Sequence, residues 1–484
     1  MRACDFRRSY SKASRLGCAI ALTAVAGVTT ATQAAVTISS KPTKNMSCSS
    51  GVCTPTAKTA VLNVTDLTNM LAASDVMVAG TKQAPDIDVA ASFSWVSAST
   101  LTLDAYHSLE IDNPVSDAGS GGLALVTNDK GTGGTFSFGA KGNVTFMGLA
   151  NKLTINGSTY KLEGNIATLA SDISAKPSGR YALATSYDAK PDGTYKRSPI
   201  NTSLTGVFEG LGNTISDLSI KDKASGDNTG LFGGLGSKGT IRDVGVAKAN
   251  VVGGVGSPVG VLVGYNSGVI TNSHTTGKSS GIDNASVGGL AGVNNGAITR
   301  SYSSVAVSGS GNGPSNFGGL VGDNVGSITQ SFATGAVSGS GGSSVGGLSG
   351  DNSQGTIDQS YATGAATDSE PTGVSGGLVG DNNFGTISQS YATGAVLGLF
   401  CEGGFVGYDD SDAGDISFAY WDTTTSGITN PSQGAGNISN DPGITALTTA
   451  QFQSELPSGF DPSIWGENAG INGGLPYLLA LPPA

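Results

Sequence analysis

The sequence predicts an all-β protein, a right-handed parallel β-helix (β-solenoid) with short capping helices, on three observations. An internal repeat of about 29 residues runs through the second half. Glycine is far above its usual share, and the repeated part keeps no helical apolar period. Of 484 residues, 75 are Gly and only 13% are charged, a composition suited to tight turns and stacked strands. The Gly and Ser are interleaved at regular intervals with Val, Ile, Leu, Tyr and Phe, which separates the chain from a disordered linker.

Two apolar columns define the repeat. Leu231, Leu262, Leu290, Leu320, Leu348, Leu378 and Phe405 follow one another at intervals of 27 to 31 residues. Ile241, Ile270, Ile298, Ile328, Ile357, Ile387 and Ile416 form the second column, each with Gly two residues earlier. A single unit has too few apolar residues to bury a core alone, so neighbouring units must stack and share one. Runs such as Gly377-Leu378-Val379-Gly380 and Thr386-Ile387-Ser388 are strand-length and contain β-formers.

The rest of the chain divides around this section. In residues 1–34, Arg2, Arg7, Arg8, Lys12 and Arg15 precede the apolar run Leu16 to Val28, with Thr32 and Ala34 before a cleavage point, the pattern of an export signal. Residues 35–164 alternate with a looser period and predict a less regular solenoid. Within 165–203, a helix over Asn165 to Ala175 has Ile166, Leu169 and Ile173 on one face, where a solenoid needs an entry cap. The repeats occupy 204–425. Residues 426–484 read as a linker and C-terminal cap, with a capping-box pattern at Thr448 to Gln451 opening a helix to about Leu456.

A net charge of -11 removes the electrostatic term on which nucleic-acid binding depends. No stretch after the leader approaches a membrane span. Two of the five Cys lie in the leader. Cys48 and Cys53 are close enough for a local disulfide in an oxidising compartment, which leaves Cys401 free.

Four residues after the first column stand Asn266, Asn294, Asn324, Asn352, Asn382 and Asp409, expected to hydrogen-bond along the axis as a structural ladder. Asp323, Asp351 and Asp381, one place earlier, are expected as a solvated acidic stripe. Four residues after the second column stand His274, Tyr302, Phe332, Tyr361, Tyr391 and Tyr420. This aromatic column is either packing inside the coil, the favoured reading, or an exposed platform for sugars. Asp409, Asp410, Asp412 and Asp415 crowd the last repeat. They are solvated turn acids, a Ca²⁺ site, or the carboxylates of a polysaccharide-cleaving β-helix. Gly-x-Ser-x-Gly occurs three times, but only as a by-product of Gly/Ser richness, and His107, expected in a strand, and His274 are the two His. No cofactor motif is present.

The pattern Gly-Gly-Leu-Val-Gly-Asp-Asn followed by Gly-x-Ile-x-x-Ser-Tyr-Ala-Thr-Gly stands almost complete at 318–335, 346–364 and 376–394. Here the chain resembles filamentous-haemagglutinin-like bacterial proteins carrying the GLUG motif. The resemblance implies a parallel β-helix exported to the cell surface or medium, an outer-membrane export partner, and non-enzymatic adhesion to a host-cell, matrix or glycan ligand. A β-helix polysaccharide hydrolase or lyase and a structural spacer are the alternatives.

Overall fold

The computed structural model describes residues 35–310, 313–411 and 414–483. The expected leader, 1–34, lies outside the described residues, as does Asp412. Among the described residues the chain is nearly all β, a parallel β-solenoid of about 15 turns with three short α-helices. One coil reads Asn316–Gly318, Val321–Asn324, Ser327–Thr329, Phe332–Ala333 and Val337–Gly339. Each strand pairs in parallel with its equivalent one repeat on: Phe317 on Val345, Val321 on Ser349, Ile328 on Ile357, Phe332 on Tyr361 and Val337 on Ala366.

Both apolar columns of the sequence are therefore physical columns. Ile270, Ile298, Ile328, Ile357, Ile387 and Ile416 lie in direct register, and they and the leucine column are buried. Each such side chain contributes about 1.5–3 kcal/mol on leaving water. The first Gly of each Gly-Gly-Leu is dictated by space. A Cβ on Gly318, Gly346 or Gly376 would lie 1.9–2.0 Å from the carbonyl oxygen three residues on.

Beyond the isoleucine strand the chain turns at a left-handed residue in every coil: Asn272, Arg300, Gln330, Gln359, Gln389 and Phe418, with φ of 44–50°. Except after Phe418, where Ala419 stands, the residue that follows is a buried Ser that secures the corner. Ser273, Ser301, Ser331 and Ser360 each donate their N–H to the Oγ of the next coil's Ser, at 3.1–3.3 Å. Each also donates its hydroxyl to the carbonyl two residues back. This Ser stands in the repeat pattern just before the aromatic position, but the sequence alone did not assign it a ladder.

The N-terminal part winds the same way. Ala35–Ser39 lies between Ala60–Asn63 and Asp86–Val89, followed by Leu109–Ile111 and Phe136–Phe138. Helix α1 (Val64–Leu71), not anticipated from the sequence, is capped by Asn63 and buries Leu67 and Leu71 in this first core. An antiparallel hairpin, Lys152–Ile155 with Ser158–Glu163, interrupts the winding before parallel pairing resumes on Arg180–Leu183. Helix α2 (Ile166–Ala175) follows it. Asn165 Oδ1 accepts the Thr168 N–H, and Ile166, Leu169 and Ile173 enter the second core.

Three expectations need correction. Residues 448–481 do not form a lid on the last coil; they fold back along the side of the solenoid. The last edge is taken by Ile444–Leu447, paired on Ile416–Asp422, so part of the expected linker belongs to the solenoid. Helix α3 (Thr449–Phe452) carries the expected capping box but ends at Gln453, short of Leu456. Cys48 and Cys53 are bonded across a hairpin, but Cys401 is not free: it is buried in strand Cys401–Gly403 and disulfide-bonded.

Excising residues 346–375 joins Val345 to Gly376, the residue stacked on Gly346. Because each coil contacts only its neighbours, the deletion protein should keep a β circular-dichroism spectrum and cooperative unfolding. A structureless product would contradict nearest-neighbour stacking.

Candidate functional site

Asn266 Nδ2 donates to Asn294 Oδ1 at 2.7 Å, and the chain continues through Asn324, Asn352 and Asn382 at 2.7–2.8 Å. It ends on Asp409 Oδ1 at 2.9 Å. All six side chains are buried. A carboxylate can only accept, so Asp409 sets the direction in which every amide donates. Two of the Gly that precede the Ile column leave room for the ladder: a Cβ on Gly355 would lie 2.4 Å from Asn324 Nδ2, and one on Gly385 2.0 Å from Asn352 Nδ2.

The ladder also removes Asp409 from the acidic set of the last repeat. Its carboxyl is pushed up by burial and held down by the hydrogen bonds from Asn382 and Ser411. Asp410 is exposed, and Asp415 is half-buried. Among the described residues no three His, Cys, Asp or Glu gather in a metal-binding group. Asp323, Asp351 and Asp381 are in register, but they are half-buried rather than a solvated stripe. Burial raises Asp323 to about 6.

The aromatic column faces outward, against the favoured expectation. From His274 through Tyr302, Phe332 and Tyr361 to Tyr391, ring centroids are 4.7–5.0 Å apart and planes differ by 2–11°. The left-handed corner breaks the alternation: Ser331 and Ala333 turn inward and Phe332 outward. The rings cover one another's faces, which a sugar platform would need free. From Phe332 onward their outer edges lie under Phe452, Phe460, Trp465 and Leu478. Tyr391 donates its hydroxyl to Pro476 O and Tyr420 to Ser458 O, each at 2.6 Å.

Two groups of charges were not found from the sequence. On the sheet face of the N-terminal coils, Asp88 lies opposite Glu110. Asp88 is raised to about 6, first by burial and then by the charge of Asp112 and a hydrogen bond to it. Glu110 is raised by burial and then by the charges of Asp112 and Asp88. The signal was the alternation in Asp86-Ile-Asp88 and Glu110-Ile-Asp112. His107 sits in a bend beside them, not in a strand. Its Nδ1 is 2.8 Å from Asp86 Oδ1 and 3.0 Å from Ser108 Oγ. A Ser-activating relay needs the hydroxyl on the other ring nitrogen.

The second group is buried where the two cores meet. Arg242 Nε donates to Glu209, its Nη2 reaches Tyr160 Oη at 3.3 Å, and Asn272 donates to Asp243 at 3.0 Å. One guanidinium faces two buried carboxyls, and burial raises both.

No family model matches the chain. A 79-residue stretch, 16% of the chain, is 40% identical to "Halomucin" of Haloquadratum walsbyi, and the chain spans about 1% of that protein's length. A solved structure described as "a putative immunoglobulin A1 protease from Bacteroides ovatus" is similar at a TM-score of 0.41 and 20% identity, over 66% of this chain and 93% of that one.

Breaking the amide ladder at its middle with Asn324→Leu should strand the Asn294 donor and the Asn352 acceptor. The expected loss is about 2–5 kcal/mol of stability in chemical denaturation. The acidic column gives a pH test. Asp323 binds its proton more tightly folded than unfolded, so its contribution is intact below about pH 4 and is lost as pH rises through about 6. Asp323→Asn should match wild type in unfolding temperature near pH 4 and exceed it at pH 8.

Proposed function

We propose that the chain is an exported, non-enzymatic, adhesin-like surface protein that binds an extended ligand along its repeats. The observation that carries this reading is a continuous outward row, Ser280, Ser308, Ser338 and Thr367, in direct register on adjacent parallel strands. Such strands lie about 4.8 Å apart, so a polymer laid along the axis meets a short hydroxyl at each of these four coils. Individually weak contacts then add through effective concentration. The GLUG-like repeat and the N-terminal export pattern support the same reading.

One observation favours a second reading, a polysaccharide hydrolase or lyase. Asp88 and Glu110 are outward carboxyls with raised affinity for protons, the property a general acid needs near neutral pH, and Asp112 lies beside both. Screening the purified protein for binding to cells, matrix proteins and glycans, with polysaccharide degradation run alongside, separates the two. Expected is binding without release of oligosaccharides, weakened at least tenfold by Ser308→Arg with Ser338→Arg. Release by wild type and not by Asp88→Asn would replace adhesion with catalysis.

A further inference from the structure

Lys161 and Glu163 are two residues apart on the strand Ser158–Glu163, and Asp172 faces them from helix α2. Lys161 Nζ is ion-paired with the Asp172 carboxylate and lies 3.7 Å from Glu163 Oε1. Glu163 is only 2% exposed, and its Oε1 has no hydrogen-bond partner among the described residues. An amine, a carboxyl to receive it and a buried second carboxyl are the three groups needed to form an amide between side chains.

We propose that Lys161 and Asp172 join in an isopeptide bond, with Glu163 carrying the proton. The ammonium of Lys161 gives a proton to the Glu163 carboxylate, and the freed amine attacks Cγ of Asp172. The Nζ–Cγ bond forms, and one Cγ–O bond breaks. Glu163 returns its proton, and with the second proton shed by nitrogen the departing oxygen leaves as water. Ammonium plus carboxylate thus become amide plus water, with no oxidant or co-reactant.

Two features favour the step. Burial, then the hydrogen bond to Asp172, raises Glu163 to about 7, so it both accepts and returns a proton near neutral pH. Strand and helix hold the amine against the carboxyl; well-oriented intramolecular pairs reach effective molarities of about 10⁵–10⁸ M, which offsets competition from water. Lys161 is 57% exposed, so proximity rather than desolvation must drive closure. The product would staple α2 to the second strand of the antiparallel hairpin, between the two cores. This inference does not depend on the adhesin reading.

The test is the intact mass of the purified protein after reduction of its disulfides, followed by mapping of proteolytic peptides. Expected is a mass one water below that of the polypeptide, Lys161 resistant to trypsin, and a linked peptide containing Lys161 and Asp172. Glu163→Gln and Asp172→Ala, each checked for folding by circular dichroism, should retain the full mass. A full-mass wild type overturns the proposal and leaves an ion pair; a linked Glu163→Gln protein overturns the role given to Glu163.

Discussion

Parallel stacking in register is the constraint on which the rest of this protein depends. Each coil lies one strand spacing from the next, about 4.8 Å, so a residue at one position of the repeat sits directly on its counterpart. Whatever the sequence repeats is placed against itself. Residues that tolerate their own company become ladders, and residues that do not must be compensated. Ile on Ile packs, and Tyr on Tyr stacks with planes 2° apart at Tyr361 and Tyr391. Amide on amide extends because each Asn offers a donor at one end and an acceptor at the other.

Carboxylates repeated in register have no such complementarity. Asp323 lies on Asp351 and Asp351 on Asp381, and Asp88 lies opposite Glu110. Burial favours the neutral form: Asp323 and Asp88 are each raised to about 6, and at Asp88 the charge of Asp112 adds to burial. The amide ladder handles its one carboxylate differently. Asp409 stands at the terminus, where only an acceptor is required, and hydrogen bonds from Asn382 and Ser411 oppose the effect of burial.

The same register shapes the surface. A flat row of hydroxyls along the axis suits a long, repetitive ligand better than a small molecule, whereas the aromatic row is spent on internal contacts and on residues 448–481. That segment holds the side of the last coils through Trp465, Phe460 and two tyrosine hydroxyls. It shields an apolar stripe that would otherwise lie open to solvent.

Much of this was legible in the sequence. The spacing of Leu and Ile, the Gly before each Ile, the Asn column and the helix beginning at Asn165 all express local rules or the repeat period, and both survive stacking unchanged. What only the tertiary structure decided was the direction in which repeated residues point. Strict alternation carries position four after each Ile to the inside, but one left-handed residue at each corner reverses it and turns the aromatics outward. Once outward, they needed cover, and this recruited the C-terminal residues to the side of the solenoid instead of its end. The pairing of Asp88 with Glu110, of Arg242 with Glu209, and of Lys161 with Asp172 likewise depends on which coil lies beside which. The period of a chain can be read along one dimension; the hand of a single corner residue, and the neighbours it selects, exist only in three.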